Sequence, residues 1–347
     1  MTEQRNPIGR TRRSVEGQIR MSDVAQLAGV SPQTVSRALS RPELVTEATR
    51  LVVAEAVAKL NYIPDGAARN LASRSSGVVA VIIPMISSSI YAVQVSKIFQ
   101  TLETRGLSVL IGNSEYSLLR EEKLVETFLQ RRPDGIILTG LQHTERTRDL
   151  LVRSGVPVVE TWDNESEPID MVVGFSNFAA GEEVGRLFLS RGAKRVAFVG
   201  GAFDQDFRAK RRFEGFESAL KMGGVAVRAR ASLSMPLQHG DGVKGLDIVL
   251  GTDPMIDAVF FSADSLALSA LLECMRRGVR VPDQLAICGF GDYELSNAVT
   301  PALTTIGIPT GQIGEAAANL ILSHIEGDSP KTKNIAIDFQ LKRRGSA

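Results

Sequence analysis

The spacing of apolar positions divides the chain into two parts. Residues 1–18 show no apolar periodicity and predict a basic, mobile arm. From Met21 the pattern changes: Val24, Leu27 and Ala28 recur at helical spacing until Gly29 interrupts them. A second short helix is predicted from Ser31, where the serine suits an N-cap and Pro32 suits the first turn, with Val35, Ala38 and Leu39 as its apolar face. A third helix, from about Thr46 to Leu60, turns Val52, Val53, Ala56, Val57 and Leu60 inward, so residues 19–64 read as three helices around a small core. The stretch YIPDGAARNLASRSSG lacks bulky periodicity, carries a Pro-Asp-Gly break and ends in serines. It reads as a linker over residues 65–76 with room for one short helix.

Beyond Gly77 short β-branched runs alternate with helical segments. VVAVIIP, LSVLIG, GIILTG and VPVVE are each strand-like, with helices reaching about Arg105, Arg131 and Arg153 between them. After Val173 the alternation repeats with RVAFVGG, DAVFFS and QLAICGF, and it closes on a helix from about Thr310 to Ile325. Such alternation implies parallel strands buried between helices, and its repetition predicts two similar α/β lobes in succession over residues 77–347. Ligands of open parallel sheets bind beyond the carboxyl ends of the strands, so the loops after these strands are expected to face one cleft.

Charge adds an asymmetry that the net +1 conceals. Residues 1–76 hold 11 Lys or Arg against 7 Asp or Glu, and the remainder 29 against 32, which favours a polyanionic partner for the front unit. Cys274 and Cys288 lie in apolar runs without CxxC spacing and read as core thiols. The first twenty residues hold five arginines and no apolar run, and no stretch approaches the length needed to span a bilayer. The expectation is a cytoplasmic, nucleoid-associated protein with no membrane role.

SDVAQLAGVSPQTVSRALS has the layout of a helix-turn-helix, whose second helix enters the major groove with its first residues on base edges. There Gln33 suits adenine and Arg37 suits guanine, Ser31, Thr34 and Ser36 suit phosphates, and Pro32 offers van der Waals contact to a thymine methyl. On spacing alone an ordinary helical hairpin with a polar face fits equally well.

The motifs themselves go further. DVAQLAGVSPQTVSRALS resembles the N-terminal signature of LacI-type repressors, and LNYIPDGAARNLAS resembles their hinge segment. RRPDGIIL, RRFEGF, RGVRVPDQLAICGF and TPALTTIGIP follow in the order that family shows. The resemblance implies an N-terminal all-α helix-turn-helix domain and an α/β, periplasmic-binding-protein-like, two-lobed effector domain with parallel sheets. It also implies a homodimer on a palindromic double-stranded operator. By similarity, residues 67–73 form a hinge helix that folds on DNA, with Ala68 and Asn70 at the duplex and Leu71 as a minor-groove wedge. Asp65 and Gly66 depart from the family pattern, and Gly66 raises the entropy lost when a hinge orders.

For the cleft the resemblance implies a sugar or related metabolite, with Ser88 and Tyr91 after the first strand, Arg212 in RRFEGF, and Asp163 beside Glu160 after VPVVE. A lobe-interface salt bridge is the competing reading for Asp163 and Glu160. Two further candidates are Asp264 and Asp292. Here the chain has Ala263-Asp264 and Gly291-Asp292 where many sugar-binding members carry Asn-Asp and Asp-Asp. Loss of a carboxylate at 291, together with Arg208 or Arg212, favours a sugar acid over a neutral sugar. The segment VVETWDNESEPIDMVVGFSN resembles the gluconate-operon repressor branch, which implies gluconate, a ketogluconate or a phosphorylated relative as effector.

No GxGxxG or GxxxxGK[ST] follows a strand and no GxSxG elbow occurs, so no nucleotide cofactor and no enzymatic activity are expected. His143, His239 and His324 stand far apart and read as surface residues, with no metal site. The rival expectation is a two-lobed sugar receptor of the periplasmic type without a transcription role. The front domain and the lack of a signal segment speak against it.

Overall fold

The structure, a computed structural model, describes residues 19–63, 75–238, 240–328 and 332–347. The expected arm and the hinge residues Ala68, Asn70 and Leu71 lie outside them, as does His239. The chain divides into two compact units between Ser76 and Gly77.

In the first unit α1 (Met21–Ala28) ends at Gly29, whose φ of 66° is the left-handed conformation that a helix C-terminus favours. The second helix, α2 (Pro32–Ser40), starts where the Ser31 hydroxyl accepts the Thr34 N–H at 3.1 Å. Thr46 caps α3 (Glu47–Leu60) in the same way. Val24, Ala25, Ala28, Val35, Val53, Ala56 and Tyr62 form the core. Leu27 and Val52, expected inside, are exposed instead: the buried stripe of α1 runs through Ala25, and that of α3 through Val53 and Ala56.

The second unit contains two six-stranded sheets. In chain order the first lobe holds β1 (Val78–Ile83), α4 (Ser89–Glu103), β2 (Ser108–Asn113), α5 (Leu118–Leu129), β3 (Gly135–Thr139), α6 (Glu145–Ser154), β4 (Val158–Thr161) and β5 (Met171–Gly174). The chain then crosses to α7 (Asn177–Ser190), β6 (Val196–Gly201), α8 (Phe207–Met222), β7 (Val227–Leu233), α9 (Asp241–Thr252), β8 (Ala258–Phe261), α10 (Asp264–Arg276), β9 (Ala286–Gly291) and β10 (Thr304–Gly307). It ends in α11 (Thr310–Ile325), β11 (Asn334–Ala336) and β12 (Gln340–Lys342).

The sheets run β11-β5-β4-β3-β1-β2 and β12-β10-β9-β8-β6-β7. All their pairings are parallel except β12 against β10. The central strands are buried throughout, as the near-continuous apolar runs require.

The lobes are not simply successive. The last helix, expected in the second lobe, packs on α4 and on strands of the first. Gly314 makes that contact, for a Cβ there would overlap the Gln94 carbonyl oxygen. β11 then joins the first sheet and β12 the second, so the chain crosses between lobes three times. Helical periodicity reports that a helix has an apolar face and not which sheet receives it. Cys274 and Cys288 are buried free thiols. No helix among the described residues is long and apolar enough to cross a membrane.

Candidate functional site

On α2, Val35 is buried while Ser31, Pro32, Gln33 and Arg37 are exposed, with Thr34 and Ser36 half-buried. Gln33 and Arg37 are four residues apart and so share one face. Ser31 and Thr34 bond each other through their hydroxyls at 2.9 Å, which fixes the start of the helix. Arg20, Arg41 and Arg50, which the motif reading did not single out, are also exposed in this unit.

In the second unit a cavity of about 570 Å³ lies between the carboxyl ends of the two sheets. Ser88 and Tyr91 reach it from the start of α4, Tyr116 from the loop after β2, and Trp162 from the loop after β4. Arg208 and Arg212 come from α8, Ser262 from the loop after β8, Phe290 from the end of β9 and Tyr293 from the loop after it. Ser88, Tyr91, Arg208 and Arg212 were expected there; Tyr116, Trp162, Phe290 and Tyr293 were not. Three lining residues, Glu115, Tyr116 and Trp162, have positive φ of 52°, 58° and 73°. Backbone held this way in non-glycine residues concentrates at functional sites. Composition could not reveal it.

The guanidinium of Arg212 lies 4.0 Å over the Phe290 ring and donates to Asn177 Oδ1 at 2.6 Å and to the Ser262 carbonyl at 3.3 Å. Burial pushes it below its ordinary range. Its Nε and the Ser262 hydroxyl are buried with no hydrogen-bond partner in the described protein. Arg208 donates to the Thr139 carbonyl at 3.3 Å and to the Tyr91 hydroxyl at 3.1 Å, and Tyr91 meets Tyr116 at 3.3 Å. Among the described residues neither guanidinium has a carboxylate within ion-pair distance. Of the two lining carboxylates, Asp206 accepts the Ala209 N–H at the start of α8 and acts on both guanidiniums through its charge from beyond ion-pair distance, and Glu115 pairs with Arg120. Burial, above all, raises the Tyr116 and Tyr293 phenols, the latter to about 12, so both remain neutral donors.

Four expected carboxylates do not line this cavity. Glu160 is fully buried, accepting from His143 Nε2 at 3.0 Å and from the Ile169 N–H. Strand alternation would put Glu160 and Trp162 on one face, but the positive φ of Trp162 breaks it and sends only the indole inward. Asp163 belongs to a smaller adjoining pocket with Arg208 and Gln142, and burial raises its carboxyl. Asp264 receives Ser296 Oγ at 2.5 Å, Thr305 Oγ1 at 2.6 Å and the Tyr293 N–H at 2.9 Å, anchoring the loop after β9. Asp292 pairs with Arg344 at 2.6 Å. Gly291 has a local reason too: its φ is 125°, and a Cβ would sit 2.6 Å from the Tyr293 ring.

His143 is likewise no surface residue. Its ring is buried between Glu121 at 2.5 Å and Glu160, while His324 is exposed.

Comparison with known proteins agrees with this architecture. Residues 20–65 match the family described as bacterial regulatory proteins, lacI family, and residues 186–347 match the periplasmic binding protein-like domain. The chain is 38% identical over 331 residues, covering 95% of it and 96% of the relative, to the HTH-type transcriptional regulator GntR of Pseudomonas aeruginosa. It is 31% identical over 326 residues to the HTH-type transcriptional regulator GntR of Escherichia coli K12, covering 94% of this chain and 98% of that one. A crystal structure of a LacI-family transcriptional regulator from Silicibacter pomeroyi superposes with a TM-score of 0.89 at 33% identity, covering 94% of this chain and 99% of that one. A receptor without a DNA-binding unit and an enzyme are both set aside by these matches. The chain belongs to the lacI family of bacterial regulatory proteins and is a DNA-binding transcriptional regulator.

Proposed function

We propose that this regulator is a cytoplasmic, homodimeric repressor of a sugar-acid utilisation operon, its operator affinity set by a carboxylated sugar such as gluconate, a ketogluconate or a phosphorylated relative. The observation that carries the effector class is the pair Arg208 and Arg212, two cavity-lining guanidiniums without a carboxylate partner among the described residues. Asp206 acts on both guanidiniums only from beyond ion-pair distance, and a ligand carboxylate would add a direct ion pair together with an acceptor for the buried Arg212 Nε. Ser262 and the neutral phenols suit sugar hydroxyls.

In the front unit Gln33 and Arg37 read base edges, and Ser31, Thr34, Ser36, Arg20, Arg41 and Arg50 meet phosphates, with Pro32 against a thymine methyl. Ala68, Asn70 and Leu71 are the hinge contacts. Two-fold symmetry of the dimer calls for a palindromic operator. Effector binding changes operator affinity through a coupling of about 1–3 kcal/mol.

Calorimetric titration with gluconate, 2-ketogluconate, 6-phosphogluconate and glucose tests the effector class. At least one acid is expected to bind, and binding of glucose alone would refute it.

A further inference from the structure

Arg208 and Arg212 lie one helical turn apart on α8, yet they are held in opposite ways. Arg212 is fixed by its own lobe, through Asn177 Oδ1, the Ser262 carbonyl and the Phe290 ring. Arg208 reaches across the cavity to the other lobe, to the Thr139 carbonyl at the end of β3 and to the Tyr91 hydroxyl on α4. Gly140 makes room for it: a Cβ at 140 would sit 2.7 Å from Arg208 Nη1. Two other bonds cross between the lobes here, Ser88 to Tyr293 at 3.2 Å and Asn177 Nδ2 to the Trp162 carbonyl at 2.9 Å. An ion pair from the same helix, Arg211 to Glu165 at 2.8 Å, also joins the lobes, but neither residue lines the cavity, so among these ties only that of Arg208 brings a charge to the cavity wall.

We infer that Arg208 is the residue that distinguishes an acid from a neutral sugar and converts the difference into a change between the lobes. Both of its acceptors are neutral, and a carboxylate entering the cavity is a stronger partner, since it adds the attraction of opposite charges and can accept two parallel N–H donors from the guanidinium fork. An acid therefore draws the guanidinium from Thr139 and Tyr91 and releases the charged tie. A polyol of the same size offers only hydroxyls, exchanges one neutral acceptor for another, and leaves the tie in place. Arg212 does not serve this purpose, because its partners move with it. The inference rests on the acid-effector reading above and adds which of the two arginines reports the charge.

The test uses the full-length dimer with gluconate, 2-ketogluconate and 6-phosphogluconate, and glucitol as the neutral counterpart. Calorimetry gives the acid-over-glucitol preference, and fluorescence anisotropy of labelled operator gives the response. Trp162, the single tryptophan, lies in the cavity wall and reports that each variant is folded. Arg208→Gln is expected to lower the preference at least tenfold and to abolish the effect of the acid on operator affinity. Arg208→Lys keeps the charge but not the two-pronged reach. It is expected to keep most of the preference with an operator response cut by at least half, and it carries the test alone if the glutamine variant does not fold. A wild-type preference that survives intact in Arg208→Gln, or a wild-type response in Arg208→Lys, overturns the assignment while the acid-effector reading stands. Absence of any acid preference in the wild type overturns both.

Discussion

Gly181 packs directly on the backbone of Arg212: a methyl at 181 would overlap the Arg212 carbonyl oxygen. The contact is reciprocal, since a Cβ at Gly215 would overlap the Phe178 carbonyl oxygen. Close approach of α7 and α8 at these two glycines therefore sets where α8 presents its arginines, and it lets Asn177 at the start of α7 reach Arg212. The cavity's charge is positioned by residues that carry no charge.

Gly181→Ala is accordingly expected to force the two helices apart, lowering stability by about 1–3 kcal/mol and weakening acid binding. Gly251→Ala, at a helical site with nothing within 4 Å of the added methyl, serves as the control. It is expected to be neutral or to stabilise by up to about 1 kcal/mol. Urea unfolding and calorimetry read both effects. Equal stability in the two variants would show that the helix contact does not depend on the missing side chain.

Arg37→Ala is expected to relax sequence preference at one base pair per operator half-site, costing roughly 1–3 kcal/mol there. Affinities for a set of singly substituted operators measure it. Uniform weakening across the set would instead assign Arg37 to a phosphate.

Buried His143 should make the stability of the second unit depend on pH. Burial alone would lower the imidazole, but bonds to Glu121 and Glu160 outweigh it and raise the group from 6.5 to about 9. The folded state therefore prefers the protonated ring. Its stabilisation, on the order of 3 kcal/mol, is complete below about pH 6.5 and is lost as pH rises through 9. The stability gap between wild type and His143→Gln is expected to be large at pH 6 and to shrink by pH 10 in urea titrations. A gap that stays constant with pH would mean a neutral ring.

Much of this was legible because it depends on local chemistry. Ser31 and Pro32 start a helix through contacts within one turn, and parallel strands buried on both faces read as apolar runs. That a cleft faces the carboxyl ends of the strands followed from the alternation alone, while Ser88, Tyr91 and Arg212 as its lining came from the resemblance of their motifs to the family. Legibility ended where a side chain's direction depends on a distant partner. Asp292 is taken by Arg344 from the end of the chain, and Glu160 by His143 from another loop. Trp162 enters the cavity through a backbone angle that no periodicity encodes. The three crossings between lobes were hidden for a related reason, since the face of α11 fits either sheet until its neighbours are known.

Asp264 offers the sharpest separation of a loop anchor from a ligand contact. Its two oxygens accept three donors, from Ser296, Thr305 and the Tyr293 backbone, and the carboxylate is fully buried. In Asp264→Asn one acceptor oxygen becomes a donor, facing either the Thr305 hydroxyl or the Ser296 hydroxyl with the Tyr293 N–H, and a buried bond is lost or reversed. The expected loss is about 2–4 kcal/mol of stability. Because Tyr293 lines the cavity and bonds Ser88, effector affinity should fall with it. Were Asp264 a direct ligand contact, affinity would drop while the urea midpoint stayed unchanged. The two measurements on one variant therefore distinguish the roles, and a normal midpoint with weakened binding would return Asp264 to the effector site.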